Sequence, residues 1–177
     1  MEKFLISKNP KSQSFWVPFR AGYITASGAP SIKKLDLWRA ERVTDVVTLL
    51  RSDEMQGLSA ASEGLGLNWH HFPLSGRRLE SADDARVVSK IPELADLLHA
   101  SRERRIVVHC AAGMHRTGLF LYILLRSSGL DPGLALQRIE QARKLTAEEL
   151  CKSTKHGILL DQAEALFQSG GKSSAMP

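Results

Sequence analysis

An α/β fold with a central, mostly parallel sheet flanked by helices follows from three features of the 177-residue sequence. Two runs rich in β-branched residues, Val43 to Leu50 and Arg105 to His109, read as buried parallel strands. Amphipathic segments with three- and four-residue apolar spacing lie between the strand candidates, so strands and helices alternate along the chain. The composition, 43% hydrophobic and 24% charged, is that of a globular chain, and the length suits one domain with a sizeable core.

In chain order, residues 1–14 are polar and read as a loose lead-in, with the domain expected over 15–168 and a flexible tail over 169–177. Phe15-Trp16-Val17 and Tyr23-Ile24-Thr25 read as short strands broken by Pro18 and Gly22. Ser27-Gly28-Ala29-Pro30 is a turn. Ser31 is placed to cap a helix over about 31–41, with Ile32, Leu35, Leu37 and Trp38 as its apolar positions. The strand at 43–50 follows, then a weak helix near 54–65 and a strand from Asn68 to Phe72 that Pro73 stops. A long amphipathic helix over about 81–100 carries Val87, Val88, Ile91, Leu94, Leu97 and Leu98, and Pro92 within it predicts a kink or a late start. After the strand at 105–109, helices are expected at about 116–128, 132–144 and 156–168; no internal repeat is visible.

Lysine and arginine number 24 against 19 acids, a formal charge of +5 that favours anionic ligands without choosing among phosphorylated small molecules, acidic proteins and nucleic acid. There is no aromatic-and-basic RNA motif, no zinc-type Cys/His spacing and no heptad run, so neither a specific nucleic-acid partner nor a metal or other cofactor is expected. No apolar run approaches the ~20 residues of a membrane span, and the N-terminal apolar stretch is too short for a secretory signal. Two cysteines, Cys110 and Cys151, exclude a disulfide scaffold and point to a reducing, cytoplasmic setting.

Chemistry concentrates in His109-Cys110-Ala111-Ala112-Gly113-Met114-His115-Arg116-Thr117-Gly118, preceded by β residues and followed by the apolar segment Leu119 to Leu125. In a strand, tight loop and helix, the amides of the loop can point inward and the helix N-terminus adds partial positive charge, a cradle for a tetrahedral oxyanion. That potential would stabilise Cys110 as a thiolate below the free-thiol pKa of ~8.5, and a thiolate is a competent nucleophile toward phosphorus. The planar fork of Arg116 can hold two phosphoryl oxygens in the transition state. Gly113 permits a backbone turn that a side chain would obstruct. The Thr117 hydroxyl can donate to the Cys110 sulfur, and His109 is expected to orient the loop rather than move protons.

These residues resemble the signature of the cysteine-dependent protein tyrosine and dual-specificity phosphatase superfamily, His-Cys-x5-Arg-Ser/Thr, with the glycine at its usual place. The resemblance extends over roughly residues 15–165 and implies a dual-specificity phosphatase-like fold. Gly22 to Pro30 looks like the opening strand and Ser-x-x-Pro turn of small atypical members, and Phe72-Pro73-Leu74-Ser75-Gly76 occupies the place of the loop that supplies the general acid. The segment Gly-x-His-Arg-Thr-Gly is similar to the plant and fungal atypical branch that includes inositol pyrophosphate phosphatases. That branch has basic residues inside the loop where this chain has Ala111, Ala112 and Met114.

The resemblance implies hydrolysis of phosphomonoesters or phosphoanhydrides through a phosphocysteine, with protein phosphotyrosine or inositol (pyro)phosphate as the substrate class. The partner would be a phosphorylated protein or a polyphosphorylated small molecule, and no metal is required. Residues Ala111, Ala112, Gly113, Met114, His115 and Arg116 would bind the phosphoryl group. The alternative is a catalytically weak, phosphate-binding pseudophosphatase. The chain departs from the pattern at the general acid, where Ser75-Gly76-Arg77-Arg78 replaces the usual Asp. A serine cannot protonate a leaving group near neutral pH, which tilts the expectation toward anhydride or aryl substrates.

Glu80 is the first candidate for the acid–base role. Asp83 and Asp84 fit the first turn of the following helix, where acids suit the macrodipole. Arg77 and Arg78 are read either as rim residues for a polyanionic substrate or as a solvated pair, and His115 as support for substrate or loop. His70 and His71 are expected to pack, one on each face of a strand, and Cys151 to be structural. Arg102, Arg104 and Arg105 are read as solvated charges at a helix end, while Arg138, Arg143 and Lys144 could reach the rim.

Overall fold

In the computed structural model, which describes residues 14–55, 64–76, 81–99, 103–152 and 157–170, one five-stranded sheet forms from β1 (Val17–Phe19), β2 (Gly22–Ser27), β3 (Asp45–Thr48), β4 (Asn68–His71) and β5 (Arg105–His109). The spatial order is β1-β2-β5-β3-β4; β1 runs antiparallel to β2, and the remaining pairings are parallel. Among the described residues the helices are α1 (Ile32–Ala40), α2 (Ala82–Ser89), α3 (Ile91–His99), α4 (His115–Ser127), α5 (Pro132–Ala142), α6 (Lys144–Cys151) and α7 (Gly157–Gly170). A 3-10 turn spans Ser52–Glu54.

Strand alternation sends neighbouring residues to opposite faces. Val46 and Val107 join Leu35, Trp38 and Val43 in a core shared with α1, whereas Val47, Ile106 and Val108 join a larger core with residues of α2 to α7. Every residue from Thr117 to Leu125 of α4 is buried, as expected for a central helix with neighbours all round. The N-caps follow the sequence: Ser31 Oγ accepts from Lys34 N at 3.3 Å, Ser81 Oγ from Asp84 N at 2.9 Å and Asp131 Oδ1 from Leu134 N at 2.9 Å.

Several boundaries differ from the sequence reading, each for a local reason. Pro18 lies inside β1, paired with Tyr23, because β1 is an edge strand where a missing N–H is tolerated. Gly22 opens β2 rather than breaking it; a Cβ there would sit 2.1 Å from the Arg104 carbonyl oxygen, so close passage of the chain demands glycine. The helix expected over 81–100 is two helices, ending and restarting at Lys90, with Pro92 in the first turn of α3 where no intrahelical N–H is needed. The segment expected as one helix over 132–144 ends at Ala142, because Arg143 adopts an extended conformation (φ −164°, ψ 105°), and α6 then begins. Most of the helix expected near 54–65, and the 1–13 lead-in, lie outside the described residues.

At the far end of the sheet the fully buried Asp45 accepts from Arg104 Nη1 at 2.7 Å and Thr44 Oγ1 at 2.7 Å and meets His70 Nε2 at 2.9 Å. Burial works to raise its pKa, but bonds from His70, Thr44 and Arg104 together hold the carboxyl below the usual range. Arg104 is thus an interior ion-pair partner rather than a solvated charge, and Arg105 donates to the Glu41 carbonyl at 3.0 Å and lies over Trp16 and Tyr23. Arg102 lies outside the described residues. Because β2, β3, β4 and β5 are parallel, the loops after them open on one edge of the sheet, the position where open α/β folds bind ligands.

Candidate active site

The chain leaves β5 at His109, turns through residues 110–114 and enters α4 at His115. The turn is held from outside by its carbonyls. Ala29 N donates to the Ala111 oxygen at 3.0 Å, Arg143 Nη1 to the Ala112 oxygen at 2.9 Å and again to the Gly113 oxygen, and Thr146 Oγ1 to the Gly113 oxygen at 2.7 Å. In a trans peptide the C=O of one residue and the N–H of the next point oppositely. Anchoring these carbonyls outward therefore turns the amides of Ala112, Gly113 and Met114 inward, the nest that anions occupy. The Gly113 amide already donates to Cys110 Sγ at 3.2 Å. Gly113 has φ +67°, and a Cβ there would lie 2.3 Å from the Ser27 oxygen, so only glycine fits.

Arg116 is clamped by a residue the sequence did not single out. Nη1 and Nη2 donate to the two carboxylate oxygens of Glu54 at 2.7 and 2.9 Å, and Nη1 also reaches the carbonyls of Leu49 at 3.4 Å and Leu74 at 3.2 Å. The Arg116 guanidinium, foremost among several influences, pushes the Glu54 pKa down to about 2, and Glu54 in turn raises that of Arg116. Glu54 ends the 3-10 turn after β3, so the ladder between β3 and β5 sets the distance between carboxylate and arginine.

His109 is fully buried, bonded through Nε2 to Thr48 Oγ1 at 2.7 Å, with the Trp38 and Trp69 rings near it. Burial pushes its pKa down to about 4, so the imidazole is neutral near pH 7. Thr117 Oγ1 is also buried but has no hydrogen-bond partner among the described residues. The bond expected from Thr117 to Cys110 is not made; the Gly113 amide is the donor to the sulfur instead.

The pocket over the loop, about 230 Å³, is lined by Ser75, Gly76, Cys110, Ala111, Ala112, His115 and Arg116. The Ser75 amide donates to Asp84 Oδ1 at 2.8 Å and its hydroxyl to Oδ2. Burial opposes ionisation of Asp84, yet the bonds from Ser75 and Ser81 hold its carboxyl below the usual range, and it is 2% exposed. Asp84 thus fastens the loop after β4, while Asp83 is exposed and paired with Arg86 at 3.1 Å. His115 Nε2 meets Glu149 Oε2 at 3.1 Å, and Glu149 also pairs with Lys152. Glu80, Arg77 and Arg78 lie outside the described residues.

Of the remaining expectations, His70 binds Asp45 and His71 Nε2 meets the Leu50 carbonyl at 2.8 Å, both structural contacts. Cys151 is an exposed free thiol at the end of α6. Arg143 grips the loop from behind rather than at the rim, Lys144 pairs at the surface with Glu148 at 3.7 Å, and Arg138 lines a separate cavity beside Arg20. No group of metal-ligating side chains is found among the described residues, and none of their helices is long and apolar enough to cross a membrane.

A buried cysteine at the end of a central strand, an amide-lined turn and an arginine from the next helix define a cysteine-based phosphatase architecture. The chain belongs to the tyrosine phosphatase family, whose sequence model matches residues 39–137, more than half of its length. Solved structures share the fold. The active form of Tk-PTP is 19% identical, covers 86% of this chain and 96% of its own, and superposes with a TM-score of 0.62. Cydia pomonella PTP-2 phosphatase is 17% identical over 85% and 90% of the two chains (TM-score 0.61). The catalytic core of the S. cerevisiae PP-IP phosphatase Siw14, bound to citrate, is 13% identical over 88% and 92% (TM-score 0.56). No curated protein sequence matches the chain.

Proposed function

We propose that the protein, through a domain over 15–168, hydrolyses phosphomonoesters or phosphoanhydrides by way of a phosphocysteine at Cys110. The observation that carries this reading is the outward anchoring of the Ala111, Ala112 and Gly113 carbonyls, which presents their neighbouring amides to a tetrahedral oxyanion. Cys110 attacks phosphorus in line. The clamp on Nη1 and Nη2 leaves Nε and the outer Nη2 proton of Arg116 to hold two phosphoryl oxygens as charge redistributes. The buried Thr117 hydroxyl gains a role when sulfur leaves as a thiolate and needs a donor.

The absence of a carboxylate from the pocket wall at Ser75 and Gly76, among the described residues, favours leaving groups that depart readily. Protein phosphotyrosine and inositol pyrophosphates meet that requirement and phosphoserine does not; likeness in fold to a PP-IP phosphatase supports the anhydride. Arg77 and Arg78, just beyond Gly76 in sequence, are proposed to bind further phosphates. Free thiols at both cysteines suit a reducing, cytoplasmic setting. The test is phosphate release at equal enzyme concentration from an inositol pyrophosphate, a phosphotyrosine peptide and a phosphoserine peptide, with Cys110→Ser as blank. Release from the first two above the blank is expected. Binding without release would make the protein a pseudophosphatase, and activity in Cys110→Ser would remove the covalent route.

A further inference from the structure

The β1–β2 hairpin and the connection from α4 to α5 border a second cavity of about 260 Å³. Phe19, Leu125, Leu130 and Leu134 give it apolar lining, and Arg20 and Arg138 give it two positive charges. Leu125 and Ser128 lie at the C-terminal end of α4, whose N-terminal residue His115 lines the pocket over Cys110. The thirteen residues of that helix rise about 20 Å, so the two cavities sit at its opposite ends.

The two arginines are unlike the others of the fold. Arg104, Arg105, Arg116, Arg126 and Arg143 are half-buried, and each guanidinium donates to a carboxylate or a carbonyl. Arg138 is half-buried as well, yet its guanidinium has no hydrogen bond or ion pair among the described residues. Arg20 has none there either. It holds φ +54° at the first position of the two-residue loop between Phe19 and Gly22, a conformation that favours glycine. Backbone strain of this kind concentrates where a side chain serves a function. No carboxylate lines the cavity among the described residues. Asp131, next in sequence to Leu130, is taken up in capping α5 through Leu134 N at 2.9 Å, and the Ser128 hydroxyl donates to the Leu124 carbonyl at 2.9 Å. Two unneutralised cations therefore share one cavity with apolar surface.

We propose that this cavity binds a small organic oxyanion, a carboxylate or phosphate joined to a compact apolar group. The fork of a guanidinium matches paired oxygens of either acid, and the leucines and Phe19 take the apolar part. The volume falls below the about 300 Å³ at which pockets for drug-sized ligands begin, so it suits one ring or a short chain. Inorganic phosphate would leave the apolar lining unused, and a neutral ring would leave the guanidiniums unused. The site does not depend on the phosphocysteine chemistry and is judged by binding alone.

The test is residue-resolved amide NMR on the full chain with phenylacetate, phenylphosphonate, the neutral isostere phenylacetamide and inorganic phosphate. Saturable shifts at Arg20, Ser128, Leu134 and Arg138 are expected with phenylacetate or phenylphosphonate at a Kd of about 1 mM or tighter, and the tighter of the two identifies the acid group. Phenylacetamide and inorganic phosphate should bind there at least about tenfold more weakly, and Arg138→Gln and Arg20→Gly should each weaken the anion at least about tenfold. Arg20→Gly relieves the left-handed conformation, so it should melt no lower than wild type while losing the ligand, a combination that no structural role of the arginine produces. Shifts confined to residues 111–116, equal binding of phenylacetamide or inorganic phosphate, or wild-type affinity in either arginine variant would each overturn the assignment. A lowered melting temperature in Arg20→Gly would make that arginine structural and overturn it too. If Arg138→Gln does not fold, Arg20→Gly decides. Absence of turnover in wild type would refute the phosphatase reading and leave these binding results unchanged.

Discussion

Replacing Glu54 by glutamine keeps the shape of the clamp on Arg116 and removes its charge. Arg116, joined by smaller contributions from Arg51, pushes the Glu54 pKa down to about 2 from its ordinary 4.5. At about 1.4 kcal/mol for each such tenfold step, the ionised clamp amounts to about 3 kcal/mol; partial exposure of Glu54 reduces this to about 2–3 kcal/mol. A chain of this size should lose about 5–10 °C of melting temperature for that change, read by circular dichroism. The sign follows from a depressed carboxylate: the contribution is complete above pH 4.5 and fades as pH falls toward 2, so Glu54→Gln should flatten the acid dependence there. The Leu49 and Leu74 carbonyls still hold Nη1 in the variant, so Arg116 is loosened rather than lost, and kcat should fall about 10- to 100-fold. Wild-type melting and wild-type kcat in Glu54→Gln would show that the arginine is positioned without the Glu54 charge, by the loop and the Leu49 and Leu74 carbonyls.

Burial holds the His109 pKa down to about 4 against an ordinary 6.5, so the unfolded chain takes up a proton that the folded one refuses; about 3 kcal/mol of stability should vanish as pH falls from 6.5 to 4, and urea titrations of His109→Gln should lack this slope. Gly113→Ala sets a Cβ 2.3 Å from the Ser27 oxygen at φ +67°, so it should cost at least about 3 kcal/mol and abolish vanadate binding; a stable, binding variant would refute the crowding argument. Arg143→Gln, paired with Thr146→Val, frees the Ala112 and Gly113 carbonyls and should weaken vanadate inhibition at least about tenfold with helical content retained, whereas unaltered inhibition would mean that the loop holds its shape unaided.

The middle of the sheet was legible because β3 and β5 are short runs rich in valine and isoleucine, and Arg105–His109 matches its strand residue for residue. The break at Arg143 was not, because nothing in Ala142-Arg143-Lys144 interrupts a helix by local preference. What turns the chain there is the tie between the Arg143 guanidinium and the loop before α4, a tertiary contact some thirty residues away. The breaker residues Pro18 and Gly22 misled for the complementary reason: their cost depends on whether an edge or a close neighbour is present, and that is a property of the sheet.

The same division runs through the site. The residues proposed to face a phosphoryl group, from Cys110 to Arg116, are contiguous, because a nest needs consecutive amides and the arginine must return to it within one helical turn. The residues that hold them come from other places: Glu54 after β3, Asp84 on α2, Thr146 and Glu149 on α6. An arginine accepts a carboxylate from any direction, and a carbonyl any donor, so no spacing rule identifies such partners in advance. Parallel strand order brings Glu54 to Arg116, since β3 lies beside β5 and both end on the same edge. The turn at Arg143 brings α6 across Gly118 of α4, so close that a Cβ on Gly118 would lie 3.3 Å from Thr146, and Glu149, one turn further along α6, meets His115. The loop motif thus supplies the groups proposed to react, and the topology supplies the contacts that hold them in place.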